Sequence, residues 1–418
     1  MMNVFVSPDP EALPADLGFA LMSKRPHRHV GGVGRSFREQ VRRMGVVPSP
    51  VAWDFAILAL AVSAADHGCQ RARSADGWTR QIKLTVSVVD PAPWQPQLRA
   101  LEEALGFLTG DLWCLSVIAG GPEPLPRTNR VRRARVDGDC VSLLSGGLDS
   151  LIGAIDLCGA GREPVFVSQR ARGDTARQGV FARAVGRQSS HVQLSHAAIV
   201  PGRAERSQRA RSMGFLAFGA LAGSSLQAVA RPVLYVPENG YISYNVPLTT
   251  LRIGSLSTRT THPRFLNLIQ GVWNQVGLEV EIQNPYQHKT KGEMLRACSN
   301  QGLLSGLAAS STSCGRFGTY GYSHCGRCLP CLVRRASFIS WGHHDATEYR
   351  FTDLRTQACF TDVRSVALAC VEAEAIGVRR WSSSSMRSSL VDDVDDATAL
   401  VGRGLQELRQ LLEEQGVL

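Results

Sequence analysis

Apolar residues follow two rhythms along this chain, a period near 3.6 and a period of two, and their alternation predicts a layered fold of helices and strands. The stretch Val51 to Ala64, opened by Pro50, has helical spacing. Residues 81–89 alternate as a strand does, Leu98 to Leu108 returns to helical spacing, and Leu112 to Ile118 is strand-like again. Residues 45–126 thus predict a small accessory α+β domain. From Val136 to about Phe338 short apolar runs alternate with helical stretches. Strands are expected at Cys140–Leu144, Val165–Ser168, His191–Leu194 and Val233–Val236, with helices from Ser150, near Gln178–Gln188 and over Met213–Ala230. Strand, helix, strand in repetition argues for a parallel, helix-covered sheet, an α/β domain placed at 136–344. After His344 the pattern is helical, breaks at Ser382 to Ser385 and closes on Leu405 to Leu412, so 345–418 reads as a helical C-terminal region.

Two segments lack such rhythm. Residues 1–44, and Ser23 to Arg43 above all, are rich in Arg, His and Gly and read as a solvated basic arm; without interleaved aromatics it gives no support for nucleic acid as a partner. The breakers from Gly120 to Arg127 and the arginine run to Arg135 predict a linker.

The 418 residues are 44% apolar and 20% charged, which excludes a disordered chain, a collagen and a small disulfide scaffold. The formal charge of +10 suits phosphate-bearing ligands. Only Lys24, Lys83, Lys289 and Lys291 are lysines, so each one kept among so many arginines draws notice. The start of the chain lacks the shape of a signal peptide, and the apolar stretches 55–65 and 213–230 are too short or too interrupted for a membrane span. We expect a cytoplasmic protein with no membrane contact.

The densest chemistry lies in Ser145, Gly146, Gly147, Leu148, Asp149 and Ser150, an S-G-G-x-D-S turn between an apolar strand and a helix. Two glycines let the backbone approach an anion, Ser145 and Ser150 add hydroxyl donors, and the helix start supplies free amides and the positive end of its dipole. Asp149 would either cap that helix or help hold magnesium shared with phosphates. Neither GxxxxGK[ST] nor GxGxxG occurs. A second constellation, Cys314, Cys325, Cys328 and Cys331, has the spacing of a tetrahedral zinc site, with His324 as a substitute ligand and an iron–sulfur cluster as the alternative filling. Cys69, Cys114, Cys140, Cys158, Cys298, Cys359 and Cys370 read mostly as core filler.

The S-G-G-x-D-S turn resembles the pyrophosphate loop of the PP-loop ATP pyrophosphatases (the adenine nucleotide α-hydrolase-like fold). With a four-Cys site some 160 residues later, the layout over 136–338 is similar to QueC, the 7-cyano-7-deazaguanine synthases. That resemblance implies ATP and Mg2+ at the loop and Zn2+ at the thiols. It implies adenylation of the carboxylate of 7-carboxy-7-deazaguanine with release of pyrophosphate, in a ligase whose product belongs to queuosine chemistry. Residues 205–218 look like the family's basic turn before a core helix, which makes Arg209 and Arg211 candidates to face nucleotide or substrate carboxylate. Lys289, Thr290, Lys291, Gly292 and Glu293 are similar to a Lys-Thr-Lys-x-Glu element, so Lys291 is the cation expected to neutralise phosphate charge.

Around Glu238, Asn239, Arg259 and His262 the text departs from the usual synthase. Glu238 and Asn239 follow a strand, where open α/β sheets bind ligands, and are candidates for the deazaguanine edge. Arg259 and His262 flank a hydroxyl-rich loop and are candidates to hold substrate or AMP. These loops, the N-terminal unit and the C-terminal helices together resemble the QueC-like proteins of the Qat anti-phage defence system, over nearly the whole chain. That resemblance implies other proteins of the same system as partners. It leaves open whether the activated acyl group passes to ammonia, giving amide and nitrile, or to a protein amine. An RNA-thiolating PP-loop enzyme and a non-catalytic nucleotide-binding subunit are the alternative readings.

Overall fold

A computed structural model describes residues 1–10, 17–23, 29–126, 136–248, 259–383 and 393–418. Lys24, the run Arg127 to Arg135, residues 256–258 of the hydroxyl-rich loop, and Ser384 and Ser385 lie outside them. The N-terminal unit comprises β1 (Met2–Ser7), β2 (Leu17–Leu21), β3 (Gly31–Val33), α1 (Phe37–Arg43), α2 (Pro50–Gly68), β4 (Gln81–Ser87), α3 (Leu98–Thr109) and β5 (Leu112–Ile118). The second unit follows with β6 (Cys140–Leu143), α4 (Leu148–Gly159), β7 (Pro164–Gln169), α5 (Thr175–Ala184), β8 (His191–Leu194), α6 (Arg211–Gly223), β9 (Val233–Tyr235), α7 (Gly240–Tyr244), α8 (Pro263–Gln275) and β10 (Glu281–Gln283). Helices complete the chain: α9 (Lys291–Ala297), α10 (Gln301–Ala308), α11 (Leu329–Trp341), α12 (Thr361–Ile376), α13 (Val378–Ser382) and α14 (Val394–Glu414).

Two five-stranded sheets result, and every strand pair in both is parallel. The first is ordered β3-β2-β1-β4-β5 and the second β8-β7-β6-β9-β10, so both run third, second, first, fourth, fifth in order of appearance. This corrects the expected α+β character of the N-terminal unit, which is α/β. It also corrects the arm: residues 29–43 hold β3 and α1, with Val33, Phe37 and Val41 buried. The strands concerned are only three to six residues long and punctuated by Pro8, Pro10 and Pro14, too short to carry a periodicity of their own.

The two units share one apolar core that runs from Val4 and Val6 through α2 and α6 to Val280. Helix α2 is apolar on nearly all sides because it lies between the first sheet and α6, and a helix buried all round needs no polar face. It is the one helix among the described residues long and apolar enough to cross a membrane, and 78% of that window is buried inside the protein. Helix α6 stops at Gly223 and not at Ala230. Ser224 and Ser225 accept from the amides of Ser49 and Val47, at 3.1 and 2.9 Å, which turns the rest of the apolar run into a joint between the units.

A second core joins α7, α11, α12 and α14, and a third packs α4, α5, α9 and α10 on the opposite face of the second sheet. Gly240 is the tightest seam. Its amide donates to Lys289 O at 2.8 Å, and a methyl group there would collide with Gln287 O and Leu400. Gly240→Ala is therefore expected to cost about 1–3 kcal/mol by overpacking, read as a lowered midpoint of chemical denaturation at unchanged slope.

Candidate active site

In a parallel sheet of this order the crevice for ligands lies beyond the carboxyl ends of the first and fourth strands, here β6 and β9. Beyond β6 the chain turns at Gly146, whose φ of +90° suits glycine alone. Gly147 follows, where a Cβ would sit 3.2 Å from both Ser145 Oγ and Thr312 O. Ser145 Oγ accepts from Gly147 N at 3.2 Å and lies 3.1 Å from Ser150 Oγ, which donates to Gly147 O at 2.9 Å. The amides of Leu148, Asp149 and Ser150, at the start of the 12-residue α4, bond to no described residue. Three donors and the positive end of a helix thus point at one spot, which is what an anion requires.

Beneath the turn Asp149 is buried. It accepts from Asn239 N at 3.0 Å and Asn239 Nδ2 at 2.8 Å, and it forms an ion pair with Lys291 Nζ. Asn239 also caps α7, accepting from Ile242 N at 3.0 Å. Lys291 opens α9 behind a capping box of Thr290 and Glu293. Burial works against the charge on Asp149, but Lys291 and the hydrogen bonds from Glu238 and Asn239 outweigh it and hold its pKa at about 2. Glu238 moves the other way. Burial first, and then the negative charge of Asp149, push its pKa well above the usual 4.5. The two carboxyls therefore share one proton, kept on Glu238 and donated to Asp149. As an oxygen-only pair facing one cavity they fit a hard divalent cation, once Glu238 gives up that proton.

Three cavities meet at Ser145. One of about 230 Å3 holds Asp149, Glu238, Lys291, Thr312 and Ser313. One of about 350 Å3, more apolar, is walled by Leu143, Val167 and Phe215 and edged by Arg209, Arg211 and Glu238. The third, about 220 Å3, lies between Asp174, Gln178, Arg211 and Thr312.

Elements far along the chain fix this ground. Thr312 N donates to Gly146 O at 2.9 Å, and Thr312 Oγ1 to Asp174 at 2.9 Å. The buried Arg334 holds Ser311 Oγ and Ser313 Oγ at 2.8 and 3.1 Å. Directly after them the sulfurs of Cys314, Cys325, Cys328 and Cys331 all lie within 4.8 Å of one another, with Cys314 to Cys328 at 3.8 Å and Cys325 to Cys331 at 3.9 Å. A tetrahedral ion with sulfur ligands at about 2.3 Å spaces them by about 3.8 Å. The four thiols can hold a metal ion such as zinc. On the other flank, α14 grips the Lys291 segment. Glu407 accepts from Thr290 Oγ1 at 2.5 Å and Gly292 N at 3.4 Å, and Arg403 bonds His288 O at 2.9 Å and Glu293 at 2.6 Å.

No family model matches the chain, and neither does any curated protein or any solved structure. Its chemistry must be read from the side chains themselves.

Of the residues singled out in the sequence, Ser145, Gly146, Gly147, Leu148, Asp149, Ser150, Glu238 and Lys291 come together. Arg209 and Arg211 face the larger cavity. Asn239 is fully buried and serves Asp149. Arg259 and His262 line none of the three cavities. Arg259 lies 4.7 Å over the Phe107 ring and donates to Phe107 O at 3.3 Å. His262 caps α8 by accepting from Arg264 N at 3.2 Å, and burial, with Arg259 and Arg264 nearby, pushes its pKa down to about 3. Both pack against α3 of the N-terminal unit, a contact no local pattern announces. His324 accepts from Ser313 N at 3.2 Å and stands outside the thiol set. Cys114 and Cys359 are exposed, against the expectation of core. Sequence reading passed over Thr312 and Ser313, whose signal was a hydroxyl run beside Cys314, and Thr260 and Thr261 at the rim of the larger cavity.

Two outcomes are expected. Purified protein should carry about one zinc per chain with no visible absorption band, and Cys328→Ser should lose the metal and lower the thermal midpoint by roughly 5 °C. Glu238, whose folded pKa is raised, contributes stability that is whole below pH 4.5 and is lost as pH rises through that raised value. In magnesium-free buffer Glu238→Gln, which keeps the neutral form, should therefore lose less thermal stability than the parent between about pH 5 and pH 8.

Proposed function

We propose that this chain is an ATP-dependent adenylating enzyme of the PP-loop, QueC-like type, acting on the carboxylate of 7-carboxy-7-deazaguanine or a related 7-deazapurine. The observation that carries the reading is the turn at Ser145–Ser150, with its three unpartnered amides, set against the buried Asp149–Lys291 pair. The free amides, the α4 dipole and Lys291 suit the β- and γ-phosphates of ATP, and the larger apolar cavity suits a flat purine-like ring. Asp149 and Glu238 would hold a magnesium ion, which would supply charge neutralisation to the phosphates.

In this reading an oxygen of the ionised acid attacks the α-phosphorus and the bond to the β-phosphate oxygen breaks. Pyrophosphate leaves with that bonding pair, into the donors of the turn, and an acyl adenylate remains. No general base is needed, because the acid is already a carboxylate. Lys291 and the amides act on charge that grows on the leaving group, which is where electrostatic help lowers a barrier. An amine then adds to the acyl carbon, its extra proton passes to solvent and AMP departs with the C–O bonding pair. A protein amine gives a conjugate, whereas ammonia gives an amide, whose oxygen a second ATP adenylates with loss of pyrophosphate, so that AMP and a proton leave and the nitrile forms. The zinc site has a structural part, holding Thr312 and Ser313 against the phosphate turn. We place the enzyme in the cytoplasm, in an anti-phage defence system with partner proteins of that system.

The test is acid-dependent exchange of labelled pyrophosphate into ATP by the full chain with magnesium and 7-carboxy-7-deazaguanine. Exchange is expected, with Lys291→Ala and Asp149→Asn each reducing it by about a hundredfold or more. Exchange that needs RNA and not the acid would replace this reading with base thiolation, and ATP binding without exchange would replace it with a sensor subunit.

A further inference from the structure

The N-terminal unit does more than cover the second sheet. Residues 203–210, which carry Arg209 to the larger cavity, take their hold from that unit. Asp66 Oδ2 accepts from Arg209 N and Ala210 N at 2.7 and 2.8 Å. Glu205 accepts from Arg71 N at 2.8 Å, its own amide donates to His67 O at 2.8 Å, and Gln70 reaches Arg203 O at 2.8 Å. Behind this contact lies a charge-balanced buried cluster. Arg80 bridges Asp66 and Asp111 at 2.6 Å each, and Arg71 binds both oxygens of Asp111 at 2.8 and 3.0 Å while donating to Trp78 O at 2.8 Å. Two arginines meet two aspartates, so the cluster is neutral and every carboxylate in it is occupied.

Arg209 is the exception. Its guanidinium lies 4.5 Å over the Trp78 ring, makes one long contact to Thr109 O at 3.5 Å, and forms no ion pair among the described residues. Burial first, and Arg71 next to it, lower its pKa to about 10, the sign of a cation that lacks an anion. Ser212 Oγ, on a residue 4% exposed that lines the same cavity, has no hydrogen-bond partner among the described residues. A buried arginine without a counter-ion and a buried hydroxyl without a partner, facing one cavity, are the two halves of an anion site.

We propose that the N-terminal unit builds this anion site: Asp66 fixes the backbone of Arg209, and Trp78 fixes its guanidinium plane, so that Arg209 reads a negatively charged group on the ligand of the larger cavity. Asp66 and Trp78 are positioning residues. The ligand class is a planar apolar ring bearing an anion, and the anion has two possible sources under the adenylation reading on which this inference rests, the carboxylate of the organic acid or the α-phosphate of the nucleotide. Trp78 is 47% exposed; its ring also lies 5.4 Å from Arg71, but the carbonyl to which Arg71 donates and the bonds of Arg71 and Arg80 to Asp66 and Asp111 do not depend on its side chain.

The experiment is calorimetric titration of the full chain with two charged and neutral pairs: 7-carboxy-7-deazaguanine against its 7-amide, and AMP against adenosine. The parent protein should prefer the charged member of at least one pair. Trp78→Ala and Arg209→Gln should each shrink that preference by about tenfold, and Trp78→Phe should restore it. The pair that responds names the anion. Because the preference is a ratio within one variant, loss of folded protein cancels. A parent that prefers neither charged ligand, or variants that keep the preference, would overturn the proposal. Discrimination without pyrophosphate exchange would instead leave the anion site standing and remove the adenylation chemistry.

Discussion

Three distant parts of the chain meet at one buried carboxylate. Asp149 comes from the first turn of α4, its two amide donors from Asn239 after β9, and its cation from Lys291 at the start of α9. An unpaired charge at this depth would cost several kcal/mol, so the folded state can bury Asp149 only by bringing all three together. Everything arranged around the glycine turn at Ser145–Ser150 follows from that requirement. The turn sits above Asp149, Glu238 takes up the proton that the shared charge demands, and α14 holds the segment from which Lys291 projects.

What could be read from residue order was whatever is written locally. The S-G-G-x-D-S turn, the thiol spacing and the first four strands of the second sheet each declare themselves within a short stretch of chain, while the three-residue β10 does not, and the structure brings the turn, Glu238 and Lys291 to one place. The rest was hidden for a physical reason. β1, β2 and β3 are too short to show a period, and only pairing with one another, and of β1 with β4, makes them strands. Arg259 and His262 have the composition of ligand-binding residues, yet Phe107, more than 150 positions earlier, decides their role. In the same way Arg80, Asp66 and Asp111 look like ordinary charges of a surface until folding buries them against residues 205–210.

The repeated strand order of the two sheets gives the molecule an internal parallel. In each sheet the first and fourth strands pair side by side, and the chain leaves their carboxyl ends in opposite directions, which is where such a sheet forms a crevice. In the second sheet that crevice holds the turn and Glu238. In the first, the corresponding strand end is closed: Asp54 of α2 accepts from Val89 N and Asp90 N at 2.8 and 3.0 Å, and Trp53 donates to Pro122 O at 2.7 Å. One architecture thus serves twice, once opening on cavities and once closed as scaffold, with α2 and α6 as the common wall.

The grip of α14 on residues 288–293 has a temporal meaning. A chain is made from its amino end, and its regions fold as they emerge. The glycine turn and Lys291 are both synthesised before Arg403 and Glu407 exist to lock the Lys291 segment. A nascent polypeptide therefore carries Asp149, Glu238 and Lys291 before it carries the brace that aligns them, which lies 110 residues beyond Glu293 at Arg403.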